Sequence, residues 1–354
     1  KFNVSRLYSF GMLLSGVSML FMMSLTVMSF TGVAIAGFIM GGSFGFFWAN
    51  RDFLALDTTN DQNRNYYFGV ETFFYTITFI LVPAIVGWYL RSSSVHGWFD
   101  GSMATAYRII AYAVIGLTIL SSIVIHLGKF KNPKHKKFIY WKYDKLWNKF
   151  LGLAALKGSV QGYLVTAPAI LIMRLVGDEG SLGLIQSVSG ILTAFLLYVL
   201  GRTAKPQHRL LIFGAGIFVF FLGALANQIL FSAVGVIIFV LSKVLFMPLH
   251  DIAYFPIQMR IIDVLSVKEN RSEFAYIFHH EYGLYIGRFI GLGLFIYLAF
   301  FVSEVVALRS SVLIIATIQL LSIPLAKNII RHTNRTIDQV KKENPELDAP
   351  KLEI

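Results

Sequence analysis

Long apolar runs alternate with short polar segments along almost the entire chain. Most runs reach the roughly 20 residues that a helix needs to cross the hydrocarbon core of a bilayer. They lack the strict alternation of apolar and polar positions found in the strands of a membrane barrel, which favours helices. The pattern therefore predicts an all-α polytopic membrane protein. We expect ten spans, at about 7–26, 28–50, 66–90, 105–127, 150–175, 182–201, 209–227, 231–256, 274–301 and 307–329.

The composition is that of a membrane protein rather than a soluble one. Hydrophobic residues make up 56% of the 354 residues and charged residues only 14%, whereas soluble domains carry about 25% charged residues. The chain contains no cysteine, which excludes disulfides and thiolate metal sites. It begins with Lys1 rather than Met, and no signal-peptide cleavage site follows the first apolar run. We expect further residues to precede Lys1.

The basic residues indicate how the chain crosses the membrane. The segment 129–149 carries eight lysines and one aspartate, so the positive-inside rule places it in the cytoplasm. Counting spans from this segment puts most of the 31 basic residues, including those after the last span, on the same side. The net charge of +12 is therefore explained by topology, and we expect no nucleic-acid partner. The predicted divisions are an N-terminal half at 1–128, a linker at 129–149, a C-terminal half at 150–330 and a cytoplasmic tail at 331–354.

Two stretches of the sequence resemble each other and indicate an internal repeat. The stretch "HRLLIFGAGI" at 208–217 matches "SRLYSFGMLL" at 5–14 in its Arg, Leu, Phe and Gly. An Asn-Arg pair also precedes a span in each half, at 63–64 and at 270–271. Two spans of the second half lie before its repeat point and have no counterpart after Lys1. We therefore expect two more spans before Lys1, giving twelve spans in two halves of six.

Two six-span halves joined by a basic loop resemble the major facilitator superfamily of transporters, and the resemblance covers essentially the whole chain. One loop of that superfamily has the pattern Gly-x-x-x-Asp-Arg/Lys-x-Gly-x-Arg/Lys. The segment "GRTAKPQHR" keeps its glycine and basic residues without the Asp, and "KFNVSR" at 1–6 resembles the end of the first-half copy. The loop at 50–74 resembles the junction of the fourth and fifth spans in bacterial members. The resemblance implies two six-helix bundles with pseudo-two-fold symmetry, of which the third to twelfth helices are present here.

Ionisable residues inside apolar spans are candidates for function, because a charge at bilayer depth is costly unless it is paired or hydrated. Lys157 and Gln161 are four residues apart and share one helix face, and Lys243 and His250, seven apart, lie near one face. The resemblance implies that both helices line the central cavity. The predicted substrate-binding residues are Lys157, Gln161, Lys243, His250 and Arg288. The alternative is a structural ion pair or a lysine that reaches the membrane surface.

A second set of charged residues is predicted to couple transport to protons or to gate the pathway. Glu281 and Arg288 are seven apart in the penultimate span, and a carboxylate there could titrate. The alternative is a bracing salt bridge from Glu281 to Arg260, Arg271 or Lys243. The predicted coupling or gating residues are Glu281, Glu71, Asp251, Arg51 and Arg64, with Asp52 and Asp57 close in sequence to the two arginines.

Two further patterns are interpreted as packing. His279 and His280 are adjacent, so on a helix they point about 100° apart, and the His-Glu-x-x-His spacing of a zinc site is absent. We expect no metal at these residues. The stretch "MGGSFGFF" places Gly41, Gly42 and Gly45 on a small-residue face that predicts a close helix contact.

The sequence leaves several functions open. The first hypothesis is a permease of the cell membrane, a secondary transporter that moves a small solute by alternating access, coupled to protons, with an anionic or amphiphilic substrate. The alternatives are a lipid or lipid-precursor flippase on the same fold, and a membrane sensor or scaffold that resembles a transporter. An enzyme is disfavoured, since we find no clustered catalytic constellation. The expected partners are a small-molecule solute, protons and the lipid bilayer; we expect a monomer without a cofactor.

Overall fold

The computed structural model describes residues 3–25, 27, 29–60, 62–128, 130, 132, 139–177, 179–203 and 206–343, and in these ranges the regular structure is helical. Short 3₁₀ turns at Trp98–Gly101 and Pro206–His208 join some of the helices. The α-helices are α1 (Val4–Ser24), α2 (Phe30–Thr58), α3 (Arg64–Val95), α4 (Met103–Leu127), α5 (Lys145–Leu175), α6 (Glu179–Thr203), α7 (Arg209–Leu230), α8 (Ala233–Lys268), α9 (Glu273–Phe301), α10 (Glu304–Gln319) and α11 (Ser322–Glu343).

Nine helical segments within the described ranges are long and apolar enough to cross a membrane. They correspond to nine of the ten predicted spans, and the last of them, Glu304–Val340, runs through both α10 and α11. The remaining predicted span, at 182–201, is helical as part of α6, although its apolar described portion is the shorter segment Ser187–Leu200. The predicted all-α architecture is confirmed, and the chain is a multi-pass membrane protein.

Contacts divide the chain into two compact units. The first unit comprises Lys1–Thr58 and Val82–Lys136, and the second comprises Thr59–Leu81 and Lys137–Ile354. The two units therefore divide α3, whose residues up to Leu81 belong to the second unit and whose residues from Val82 belong to the first. The predicted boundary of the two halves at 129–149 stays a prediction. All predicted site residues except Arg51 lie in the second unit.

Each unit contains a helix pair in which a glycine allows close contact. In the first unit, a Cβ atom on Gly11 of α1 would lie 2.9 Å from the backbone nitrogen of Phe47 on α2. In the second unit, a Cβ on Gly216 of α7 would lie 2.8 Å from the Cβ of Leu249 on α8. The sequence match aligned Gly11 with Gly214, which makes only ordinary contacts near 3.9 Å. In the second unit the close contact is therefore made by Gly216 and not by Gly214, the glycine that the sequence match aligned with Gly11.

The closest helix packing in the second unit is between α5 and α9. A Cβ on Gly162 of α5 would lie 2.9 Å from the Cα of Arg288, and one on Gly158 would lie 3.0 Å from the Cα of Gly287. Facing them, a Cβ on Gly291 of α9 would lie 2.7 Å from the carbonyl carbon of Ser159. Glycines at four-residue spacing on both helices therefore let the two backbones touch.

The predicted close contact at Gly41, Gly42 and Gly45 is wrong for the described part of the chain. A Cβ on Gly41 or Gly45 would have no described atom within 4 Å, and one on Gly42 would only touch the Leu14 side chain at 3.5 Å. Phe44 and Phe46 in the same stretch are exposed. The same small-residue spacing is present in α2 and in α9, but of these two faces only that of α9 lies against the backbone of another helix in the described part of the chain.

Candidate functional site

Three of the predicted site residues meet where α5 packs against α8. The Lys157 ammonium lies 2.8 Å from Oδ1 of Asp251, and Nδ1 of His250 lies 2.9 Å from the same oxygen. The ammonium also lies 4.1 Å from the ring centre of Tyr254 and 3.9 Å from that of Phe255. A carboxylate and two aromatic faces thus offset the cost of burying the cation, whose side chain is only 5% exposed.

A chain of polar contacts continues from α8 through α9 and back to α5. The Tyr254 hydroxyl lies 2.8 Å from Nε2 of His280, and Nδ1 of His280 lies 3.6 Å from Glu281. Glu281 lies 4.0 Å from the Arg288 guanidinium, whose Nε donates to Oε1 of Gln161 at 3.0 Å. The close packing of α5 on α9 sets these distances, since the Cα of Arg288 faces the glycine that follows Gln161.

Glu281 pairs with Arg288, the arginine seven residues further along the same helix. It pairs with this arginine and not with Arg260, Arg271 or Lys243, which were the alternatives. Arg271 instead lies 3.4 Å from Glu269. Tyr254 was not predicted from the sequence, and His280 was interpreted as a packing residue, although both belong to the polar chain. The spacing of the sequence does indicate Tyr254, because it follows His250 by one helical turn.

Lys243 lies apart from this network, on the wall of the larger cavity of the second unit. The cavity has a volume of about 490 Å³, and its lining comes from α3, α5, α6 and α8. Lys243 is the only charged residue of the described lining, and no described carboxylate pairs with it. The other residues are mostly apolar, and they are Tyr75, Thr76, Leu164, Val165, Pro168, Ala169, Ile172, Ser189, Gly190, Thr193, Val240, Val244 and Met247.

A smaller cavity of about 120 Å³ adjoins the first. Thr193 and Met247 line both cavities. Asp251 also lines the smaller one, and its side chain is 29% exposed. His250 does not line either cavity in the described structure; it is buried against Phe213 of α7, with ring centres 4.8 Å apart. Of the predicted pair on α8, Lys243 therefore faces a cavity and His250 faces the protein core.

Arg64 forms a buried ion pair that the sequence analysis did not anticipate. Its guanidinium lies 2.7 Å from Oδ2 of Asp263, and the two side chains are 0% and 1% exposed. Nε of Arg64 also donates to the Thr59 hydroxyl at 3.3 Å. The pair joins the start of α3 to the end of α8. Glu71, two turns further along α3, is half-buried.

Arg51 belongs to the first unit and pairs with its neighbour in sequence. Its guanidinium lies 2.6 Å from Oδ1 of Asp52, and both side chains are buried. The guanidinium also lies 5.5 Å from the ring centre of Trp48, one turn earlier on α2. The predicted proximity of Arg51 and Asp52 is thus present as an ion pair within one helix.

The residues just before α5 are fixed to the end of α8 and the start of α9. Tyr143 donates to the carbonyl of Ala275 at 3.3 Å and stacks on His279 at 4.1 Å; burial raises the pKa of Tyr143 to about 12. Asp144 caps α5 by accepting from the Leu146 N–H at 2.7 Å, and it also accepts from Lys268 at 2.8 Å. Burial alone would raise the pKa of Asp144, but these two hydrogen bonds and the lysine charge hold it below its ordinary value.

The adjacent histidines of α9 point to different partners. Nδ1 of His279 accepts from the Trp147 indole at 3.1 Å, whereas His280 is fully buried and contacts Tyr254. The two imidazoles therefore diverge, as expected for neighbours on a helix. This arrangement does not offer a pair of nitrogens to one metal ion.

No protein-family model and no curated protein sequence matches the chain. Solved structures do match it. The chain is similar to a major facilitator superfamily transporter, FucP, in the outward conformation, with a TM-score of 0.64 and 13% identity over 92% of this chain and 83% of that one. It is also similar to the human organic anion transporter MFSD10 (TETRAN), with a TM-score of 0.54 and 10% identity over 91% of this chain and 82% of that one.

The protein is therefore a multi-pass membrane protein with the fold of the major facilitator superfamily, as the sequence predicts. At identities of 13% and 10%, the similarity shows the fold and does not identify the solute.

Proposed function

We propose that this protein is a secondary transporter that moves an amphiphilic organic anion by alternating access. The observation that carries the proposal is the Lys243 ammonium on the wall of the 490 Å³ cavity. The fold supports the class of activity, since a solved structure with the same fold is that of an organic anion transporter. The residues of this cavity support the class of solute.

A lysine in mostly apolar surroundings is costly unless an opposite charge joins it. A bound carboxylate or sulfonate would supply that charge. The apolar lining from α5 and α8, including Leu164, Pro168 and Val244, would bind the hydrocarbon part of the same solute. A cavity with one cationic group and apolar walls thus favours an anion with a hydrophobic body over a sugar or a small inorganic ion.

Proline residues break the helical hydrogen-bond ladder beside this cavity. Pro168 of α5 and Pro248 of α8 have no N–H to donate to the carbonyls of Leu164 and Val244, four residues earlier. Both of those residues line the cavity. Unpaired backbone at membrane depth is tolerated where it lines a cavity, as in other transporters. These positions are also where α5 and α8 could bend during alternating access.

Asp251 and Glu281 are the proposed coupling groups. Each carboxylate pairs with one cation, Lys157 or Arg288, so protonation of the acid would release the basic partner. Arg64, paired with Asp263, and Arg51, paired with Asp52, are proposed to gate the pathway together with Glu71. Proteoliposomes with and without an inward proton gradient test the coupling. Anion flux that does not respond to the gradient would refute the coupling but not the transport.

The test of transport uses the full chain in proteoliposomes and naphthalene-2-sulfonate, a fluorescent amphiphilic anion that does not cross lipid unaided. We expect saturable flux that Lys243→Met lowers at least tenfold. Lys327→Met, on the exposed face of α11, is the matched control and is expected to leave flux unchanged. Equal flux through both variants would refute the assignment of Lys243.

A lipid flippase is the second candidate, because the same apolar walls would accept an acyl chain. Dithionite quenching of a fluorescent phospholipid in the same proteoliposomes separates the two. Lipid movement without sulfonate flux would favour the flippase. Sulfonate binding without either movement would favour a sensor that resembles a transporter.

A further inference from the structure

The two cavities of the second unit share a wall that carries opposite charges at its two ends. Lys243, Met247 and Asp251 follow one another at four-residue spacing, so they lie along a single stripe of α8. Lys243 lines the larger cavity, Asp251 lines the smaller one, and Met247 lines both. Eight residues of helix separate the two charged side chains by about 12 Å along the axis.

Among the described residues, only Oδ1 of the Asp251 carboxylate has a partner, which leaves its second oxygen for a further hydrogen bond. Lys157 and His250 both contact Oδ1, and the side chain is 29% exposed where it lines the smaller cavity. Pro256 adds a second acceptor nearby, because it has no N–H for the carbonyl of Ile252, which also lines this cavity. The smaller cavity therefore offers acceptors, whereas the larger one offers a cation.

From this arrangement we propose that the adjoining cavities form one site for an organic anion that carries a hydrogen-bond donor at the end opposite its anionic group. The anionic group pairs with Lys243, the hydrophobic body passes Met247 and Thr193, and a hydroxyl or amino group donates to Asp251. This inference rests on the proposed transport function and makes it more specific.

The experiment compares two ligands that differ by one hydroxyl group. Binding of naphthalene-2-sulfonate and of 6-hydroxynaphthalene-2-sulfonate to the full chain in nanodiscs is followed by ligand fluorescence. We expect the hydroxylated compound to bind about tenfold more tightly to the parent protein, as a hydrogen bond to a charged acceptor allows. Lys243→Met is expected to weaken both ligands by the same factor, since both carry the sulfonate.

Two variants change the acceptor in different ways. Asp251→Asn removes the charge but keeps a neutral amide oxygen that still accepts, whereas the double variant Lys157→Met/Asp251→Leu removes the acceptor and the whole ion pair without leaving a buried charge unpaired. The second keeps the test decisive if the first does not fold. The readout is the ratio of the two affinities within each variant: we expect the preference for the hydroxylated ligand to weaken in Asp251→Asn and to disappear in the double variant.

The outcomes separate this inference from the proposed function. Equal affinities of the parent protein for the two ligands, or a preference that survives in the double variant, would overturn the two-ended site while leaving anion transport intact. Failure of the parent protein to bind either sulfonate would refute the proposed function and this inference together.

Discussion

Replacing a glycine at the α5–α9 contact by alanine should destabilise the protein, and Gly287 is the most informative position. A Cβ there would lie 2.8 Å from both the carbonyl carbon of Ala155 and the Cα of Gly158, and closer still to the Ala155 oxygen, whereas ordinary contacts begin at 3.4 Å. Every atom it meets belongs to the facing backbone, so no side-chain rotation relieves the clash. The helices must separate, and such overpacking costs typically about 1–3 kcal/mol. For Gly287→Ala we expect the free energy of unfolding to fall by an amount in the upper part of that range.

Gly293 is the matched control because it lies on the same helix and a Cβ there would have no described atom within 4 Å. Gly293→Ala should be neutral or slightly stabilising, since alanine is the better helix former. The assay is thermal unfolding of both variants in detergent, with Gly287→Ala expected to unfold several degrees below the parent protein. If the two variants unfold at the same temperature, α5 and α9 do not pack as closely as described.

Two further predictions concern ion pairs outside the cavities. Asp263→Asn leaves the fully buried Arg64 guanidinium without its partner and should lower the free energy of unfolding by about 3–5 kcal/mol, whereas the double variant Arg64→Met/Asp263→Leu should recover most of the loss in thermal unfolding. The folded-state pKa of Asp144 is held below its ordinary value of 3.8, so its stabilising contribution is complete above that pH and is lost as the pH falls through the lower, folded-state pKa. Asp144→Asn should therefore unfold at a lower temperature than the parent protein at pH 7, and this difference in unfolding temperature should shrink in acid. A difference that does not change with pH would contradict the lowered pKa of Asp144.

The features that sequence predicts well here are local ones. The spans follow from runs of apolar residues, and the segment 129–149 is recognised from its eight lysines. Both features can be read from neighbouring residues, without knowing what they contact elsewhere in the chain. The resemblance to a known fold is confirmed by solved structures. Helix spacing is also local: Lys157 and Gln161 are four residues apart on α5, although their partners lie on different helices, Asp251 on α8 and Arg288 on α9.

Partners across the chain could not be predicted in the same way. Arg64 and Asp263 are 199 positions apart, and nothing in either neighbourhood identifies the other. The glycine faces of α2 and α9 have the same spacing, yet among the described residues only the α9 face lies against another helix's backbone, because such contact depends on which helix packs opposite. On α8, the seven-residue spacing suggested that His250 accompanies Lys243, whereas the eight-residue stripe through Met247 brings Asp251 to the cavity.

The Lys157–Asp251 pair is weak evidence for a stabilising role. A buried ion pair often contributes no more to folding than apolar side chains of similar size, because desolvation offsets the attraction. The two ends of the pair differ, since aromatic rings enclose the cation while the carboxylate remains 29% exposed at a cavity. A pair that only braces two helices does not require its acid to be accessible to a ligand or a proton. The exposed carboxylate therefore suits the role proposed for Asp251, which requires an acid that changes its partner or its charge.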